Sequence, residues 1–188
     1  MIIRYLLPIL MAIHPLVFCA DHTSTLARHA NEYHEAIAVI APTKGNSVSG
    51  TFYFVQTPNG VLVNAVLSGL TPNQDHGVHV HEFGNVSDQE SGKSAGGHYN
   101  PEKHRHGLPP NPNRHAGSFG NITANDNGDA LFKMLDTTIT IAGVRNPIIG
   151  RSVVVHANPD TGEQPAGNAG PRIGMGVIGI AKPKTLKR

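Results

Sequence analysis

Twelve of the 188 residues are histidine, and seven of them (His76, His79, His81, His98, His104, His106, His115) fall within one 40-residue stretch. Imidazole is the commonest protein ligand for transition metals and suits copper and zinc. Density of this kind therefore points first to metal chemistry. His79-Val-His81 has i, i+2 spacing. On a strand that spacing turns both rings to the same face, and two imidazoles on a rigid strand make half of a metal site. Taken alone the pair carries little weight, because histidine is often simply exposed. Its neighbours carry more. His98 lies in Ser94-Ala-Gly-Gly-His98-Tyr-Asn-Pro101, where glycine permits close backbone approach. His106 and His115 follow, and His156 ends the apolar run Val153-Val-Val-His156. Six histidines so placed are poorly explained as unrelated capped residues.

Short β segments must position these side chains. The pattern predicts strands over Ala36–Ala41, Ser47–Gln56, Val61–Leu70, Gly77–His81, Ala116–Thr123, Ala130–Leu135, Ser152–His156 and Gly176–Ala181. In the second, Val48, Thr51, Tyr53 and Val55 are read as the alternating set; in the third, Val61, Val63, Ala65 and Leu67 share one face. Thr57-Pro-Asn-Gly60 and Asn125-Asp-Asn-Gly128 read as hairpin turns. About eight strands with no amphipathic helix predict an all-β antiparallel sandwich or barrel. Two long loops, Glu82–Arg114 and Ala157–Pro171, each begin just after a histidine. Loops of that length in a compact domain are usually functional.

The chain is long enough for one well-buried domain. Residues 1–20 read as an export signal: Arg4 gives a positive start, Tyr5 to Phe18 an apolar core, and Ala20 a small residue at the cleavage point. That core is shorter than the roughly 20 apolar residues a bilayer span needs, so no membrane association is expected after cleavage. Cys19, the only cysteine, would leave with it. Residues 21–34 form a polar, loosely ordered arm, 35–182 the β domain, and 183–188 a basic tail. Loss of Arg4 takes the formal charge from +2 to +1. No clustered basic face stands out, so nucleic acid is not an expected partner.

From Glu35 to Lys182 the chain resembles the copper, zinc superoxide dismutase family. The resemblance is carried by Gly77-Val-His-Val-His-Glu-Phe-Gly84, Ser94 to Pro101 as quoted above, Gly117-Ser-Phe-Gly-Asn-Ile-Thr-Ala124, Ile149-Gly-Arg-Ser-Val-Val-Val-His156, Gly167-Asn-Ala-Gly-Pro-Arg172 and Gly176-Val-Ile-Gly-Ile-Ala181. It implies an immunoglobulin-like Greek-key sandwich or barrel and dismutation of superoxide to oxygen and hydrogen peroxide. It further implies that His79, His81, His98 and His156 hold copper, and that His98, His106 and His115 hold zinc with His98 as the bridge. Asp160 would be the carboxylate linking a copper histidine to a zinc histidine, and Arg172 the guanidinium that meets the anionic substrate. His98 and Arg172 are the residues the resemblance places in catalysis.

The sequence departs from the family at three places. Ser118 stands where the family has its last zinc ligand, an aspartate, which predicts weaker zinc binding; His104, Asn111 or a nearby carboxylate are the alternatives for that place. Gly92 and Met175 occupy the positions of the family's intrachain disulfide, which predicts a looser 87–97 loop and a less firmly held Arg172. The loop 157–171 carries only two acids, Asp160 and Glu163, so steering of superoxide should differ. Gly176–Ala181 resembles a segment of the eukaryotic dimer interface, which makes a homodimer an expectation. A different class of function fits the histidine count as well: an extracytoplasmic protein that sequesters or delivers copper or zinc with little turnover.

Overall fold

The computed structural model describes residues 33–182. The residues read above as an export signal, the arm up to residue 32 and the tail from residue 183 lie outside the described residues. Eight strands run β1 (Glu35–Pro42), β2 (Ser49–Thr57), β3 (Gly60–Ser68), β4 (Asp75–His81), β5 (Ser118–Thr123), β6 (Ala130–Asp136), β7 (Ser152–His156) and β8 (Arg172–Ile180). Every ladder is antiparallel. The strand order is β5-β4-β7-β8-β1-β2-β3-β6, and the two end strands approach each other to leave a nearly closed barrel. Among the described residues the only helical piece is a single 3-10 turn, Lys93–Ala95, and no helix is long and apolar enough to cross a membrane.

Alternation along each strand fills the barrel. Val61, Val63, Ala65 and Leu67 of β3 are buried on one face as expected. On β2 the inward face is Phe52 and Phe54, with Thr51, Tyr53 and Val55 only half-buried; the two aromatic rings bring the larger apolar area inside. The turn at 125–128 joins β5 to β6, yet those strands are not laddered together. It is no hairpin. Asn125 Oδ1 accepts from the N–H groups of Asn127 and Asp129 and shapes the turn locally. β8 begins at Arg172 rather than Gly176, because Gly174 and Met175 keep laddering to both β7 and β1 and Arg172 still pairs with His156 of β7. A third long connection, 137–151, lies between β6 and β7 and buries Ile139, Ile141 and Ile148 in the core.

β4 and β7 are the strands on which the histidines depend. Val78 and Val80 point into the main core, so His79 and His81 point outward between them. Val153 and Val155 of β7 likewise enter the core, turning Val154 and His156 outward. Yet His79, His81 and His156 are all buried. The loops 82–117 and 157–171 roof this outer face of the barrel. One end of the first loop is fixed by Arg114, itself buried, whose Nη2 meets Asp136 Oδ2 at 2.7 Å and whose Nε donates to the Ser118 carbonyl at 2.9 Å. A buried charge is tolerated only with such complete pairing, so Arg114 fixes the approach to β5.

Candidate metal centre

The six histidines singled out in the sequence come together under that roof. Ring nitrogens of His79, His81, His98 and His156 converge within 4.8 Å of one another, and so do those of His98, His106 and His115, which makes His98 common to both groups. His98 reaches the strand pair because residues 97–99 run beside the end of β4: Tyr99 N–H donates to the Val80 carbonyl and Glu82 N–H to the Gly97 carbonyl, each at 2.9 Å. Tyr99 turns into the core, so His98 turns outward and its ring stacks on His79 at 3.8 Å between centroids. Arg151 lies 3.5 Å over the Tyr99 ring and braces it.

Fixed acceptors set the tautomers. Asp160 Oδ2 accepts from His79 Nε2 at 2.7 Å and Oδ1 accepts from His106 Nε2 at 2.8 Å. A carboxylate and a carbonyl only accept, so both Nε2 atoms carry hydrogen and both Nδ1 atoms carry lone pairs. His81 Nδ1 donates to the Gly96 carbonyl at 3.0 Å and His156 Nδ1 to the Gly170 carbonyl at 3.1 Å. Their Nε2 atoms, both lone-pair bearing, face each other at 3.4 Å. His79 Nδ1 is buried with no hydrogen-bond partner. Converging lone pairs without donors repel, and a cation turns that repulsion into bonding. The donor set therefore fits a metal ion: four imidazoles suit copper, and three suit zinc.

The second group has His115 Nδ1 facing His98 Nδ1 at 3.4 Å and Ser118 Oγ 3.3 Å from His106 Nδ1. No Asp or Glu completes this triad among the described residues, since Asp160 meets His106 through the opposite nitrogen. His104 is turned away, with Nδ1 donating to the Arg114 carbonyl, and Asn111 is engaged in its own turn and with Arg114. Neither alternative fills the fourth place. Ser118, fully buried at the start of β5 opposite His79, is the side chain that borders it.

Three positioning residues escaped the sequence reading. Asn121 on β5 grips the backbone of Asp160 from both sides, donating to its carbonyl at 2.9 Å and accepting from its N–H at 2.6 Å. Gln164 does the same for His106, accepting from its N–H at 3.0 Å and donating to its carbonyl at 2.8 Å, which staples the two loops together. Gly167, at φ 72°, passes so close over the Asp160–His106 pair that a Cβ there would lie 1.8 Å from Asp160 Oδ1. Isolated amide and glycine residues carry no periodic signal that marks a role of this kind. Only the contact identifies them.

The cluster opens to solvent through a cleft of about 400 Å3 lined by His81, His98, His156, Asn168 and Arg172 among others. Burial lowers His79 and holds His81 and His98 well below the usual histidine range. It pushes His156 down to about 3, and the half-exposed His115 to about 4, each helped by neighbouring histidines. Burial works to raise Asp160, but the hydrogen bonds from His106 and His79 outweigh it and keep the carboxylate ionised. Folding of the metal-free protein thus excludes protons that the unfolded chain, with ordinary histidines near 6.5, would take up. Stability is whole above that range and falls as pH drops from about 6.5 towards 4, by about 1.4 kcal/mol per pH unit for each proton excluded. Calorimetry on metal-free protein should show this fall; a melting temperature flat from pH 7 to 4.5 would contradict it.

A family model described as copper/zinc superoxide dismutase matches residues 48–178. Superoxide dismutase [Cu-Zn] 2 of Brassica juncea is 41% identical over 154 residues, covering 78% of this chain and 97% of the relative. Superoxide dismutase [Cu-Zn] of Paramecium bursaria Chlorella virus 1 is 39% identical over 181 residues, covering 93% of each. Superoxide dismutase [Cu-Zn] 5 of Dictyostelium discoideum is 40% identical over 155 residues, covering 78% of this chain and 99% of the relative. The extent of these matches agrees with the two joined histidine groups, and the chain belongs to the copper/zinc superoxide dismutase family.

Proposed function

We propose that the chain dismutes superoxide to oxygen and hydrogen peroxide, with His79 Nδ1, His81 Nε2, His156 Nε2 and the Nε2 of His98 holding copper. His98, His106 and His115, each through Nδ1, hold zinc. Bound there, copper would supply the one-electron chemistry that dismutation of two superoxide anions requires. The chain's own residues do the rest. Arg172 lies on the cleft wall beside His81, His98 and His156, where its fixed guanidinium attracts the small anion and offers hydrogen-bond donors. His98, shared by both groups, would carry at Nε2 either the metal or a proton and never both, so that a proton held there is available to the product that leaves as hydrogen peroxide. The carbonyls of Gly96 and Gly170 and the carboxylate of Asp160 keep the copper rings in one tautomer and orientation throughout.

The observation that carries this reading is the cleft itself: a guanidinium and histidines of the four-ring group face one small solvent-filled space. Protein loaded with copper and zinc should dismute superoxide, and Arg172→Ala should slow it about tenfold to a hundredfold, within the range of electrostatic steering. Tight copper binding without turnover would sink the enzyme reading in favour of metal sequestration.

The zinc side is predicted to be the weaker, since Ser118 offers a neutral hydroxyl where a carboxylate would complete four good donors. Ser118→Asp should raise the zinc content of purified protein and its melting temperature, measured by elemental analysis and calorimetry. No gain in either would mean that the hydroxyl, or water held by it, already serves.

Export and dimerisation belong to the same reading. The leader-like residues 1–20 support action outside the cytoplasm. Phe83, 57% exposed, lies near Val177, 40% exposed, beside a shallow wall of Gly84, Ile149, Gly150 and Arg151, an apolar surface suited to a second copy. The mass of the exported chain should be that of residues 21–188, and light scattering should give twice that mass. An intact amino terminus, or a monomer at micromolar concentration, would remove the corresponding part.

A further inference from the structure

Arg172 is held more tightly than the absence of a disulfide led one to expect. Its Nη1 donates to the Gly92 carbonyl at 2.5 Å and its Nη2 to the Gly96 carbonyl at 2.6 Å. Gly96 O also accepts from His81 Nδ1, so one carbonyl fixes the guanidinium and a copper-side histidine together. The orientation of Arg172 is therefore the orientation of the 92–96 segment. Something must hold that segment against the barrel.

What holds it is a small apolar cluster separate from the main core: Ala95 from the loop, Val154 from β7 and Met175 from β8, with Val86 packed at its edge. Met175 is 2% exposed and lies between Ala41 and Val154 in the ladders. Its sulphur and the Arg172 side chain flank the same point above Gly92: a Cβ there would lie 2.9 Å from Met175 Sδ, 2.9 Å from Arg172 Cδ and 3.1 Å from Arg172 Cβ. Gly92 also sits at φ 68°, a backbone region that glycine enters without steric cost. The bare Gly92 lets thioether and guanidinium stem close over the loop together. Methionine, unbranched and adaptable, suits such a gap.

We infer that Met175, seated against Gly92, is a positioning residue for Arg172: packing of its thioether seats the 92–96 carbonyls that aim the guanidinium at the metal cleft. Placement of the arginine is then independent of thiol chemistry, since the only cysteine of the chain is Cys19. The inference rests on the reading of Arg172 given above.

The test compares copper- and zinc-loaded wild type, Met175→Ala, Met175→Leu and Arg172→Ala. Azide is the probe anion, its affinity read from the visible spectrum of the bound copper, and hydrogen exchange is followed at the Gly92, Ala95 and Gly96 amides. Met175→Ala should weaken azide binding and slow dismutation about tenfold, the low end of what mislaid charge costs, with copper content unchanged and faster exchange at the three amides. Met175→Leu should restore both. Met175→Ala with wild-type azide affinity would overturn the proposal, even if its melting temperature fell. Wild-type azide affinity in Arg172→Ala would instead remove the role given to Arg172. If Met175→Ala does not fold, Met175→Val carries the same test, since it keeps a strand-compatible apolar side chain but loses the sulphur that meets Gly92; wild-type azide affinity in that variant would overturn the proposal.

Discussion

One carboxylate holds the two halves of the metal centre in register. Asp160 accepts from His79 with one oxygen and from His106 with the other, in a space from which water is excluded. Each bond turns a ring so that its other nitrogen faces a different cluster. Rotation of Asp160 would disturb both, so its own placement must be secure. The Asn121 side chain grips its backbone from β5, and the Gly162 N–H donates to Oδ1. Because charge-assisted hydrogen bonds strengthen in a low-dielectric setting, Asp160 ties its own loop firmly to β4 through His79 and to the first loop through His106.

The barrel's contribution is an outer face whose strands are fixed in register by their ladders. A site on the inside would have to displace the core of phenylalanine and valine side chains; a site on the outside needs a roof. The strands supply outward histidines at fixed spacing, and the loops supply His98, His106, Asp160 and the lid that excludes water. Burial then keeps the rings neutral, the state in which imidazole binds metal. Cross-loop staples such as His106–Gln164 and the Arg114–Asp136 pair take the place of any covalent tie.

The family pattern and its exceptions sit on opposite sides of His98. Around the four-histidine group every acceptor is present, and Arg172 is fixed by two carbonyls. Around the three-histidine group the last donor is a serine hydroxyl. The four-histidine group is thus fully braced by acceptors, while the three-histidine group is completed only by a neutral hydroxyl, and Met175 packs where the family has one end of a covalent brace.

The sequence by itself determined the all-β class, the shared face of His79 and His81, and the six histidines as one functional set. Periodicity and residue chemistry are local properties, readable without coordinates. Through the resemblance it also marked Asp160, Arg172 and Ser118. It could not show which nitrogen of each ring is free, because tautomers follow from acceptors contributed by remote segments such as Gly96, Gly170 and Asp160. Nor could it reveal Asn121 or Gln164, which act by proximity between loops and strands far apart in the chain; the resemblance set Gly92 opposite Met175, but not the packing and hydrogen bonds that tie that pair to Arg172. The inward choice of Phe52 and Phe54, the unpaired β5–β6 turn and the early start of β8 at Arg172 were likewise settled by tertiary structure. There, ladder partners and buried area outweighed the local pattern.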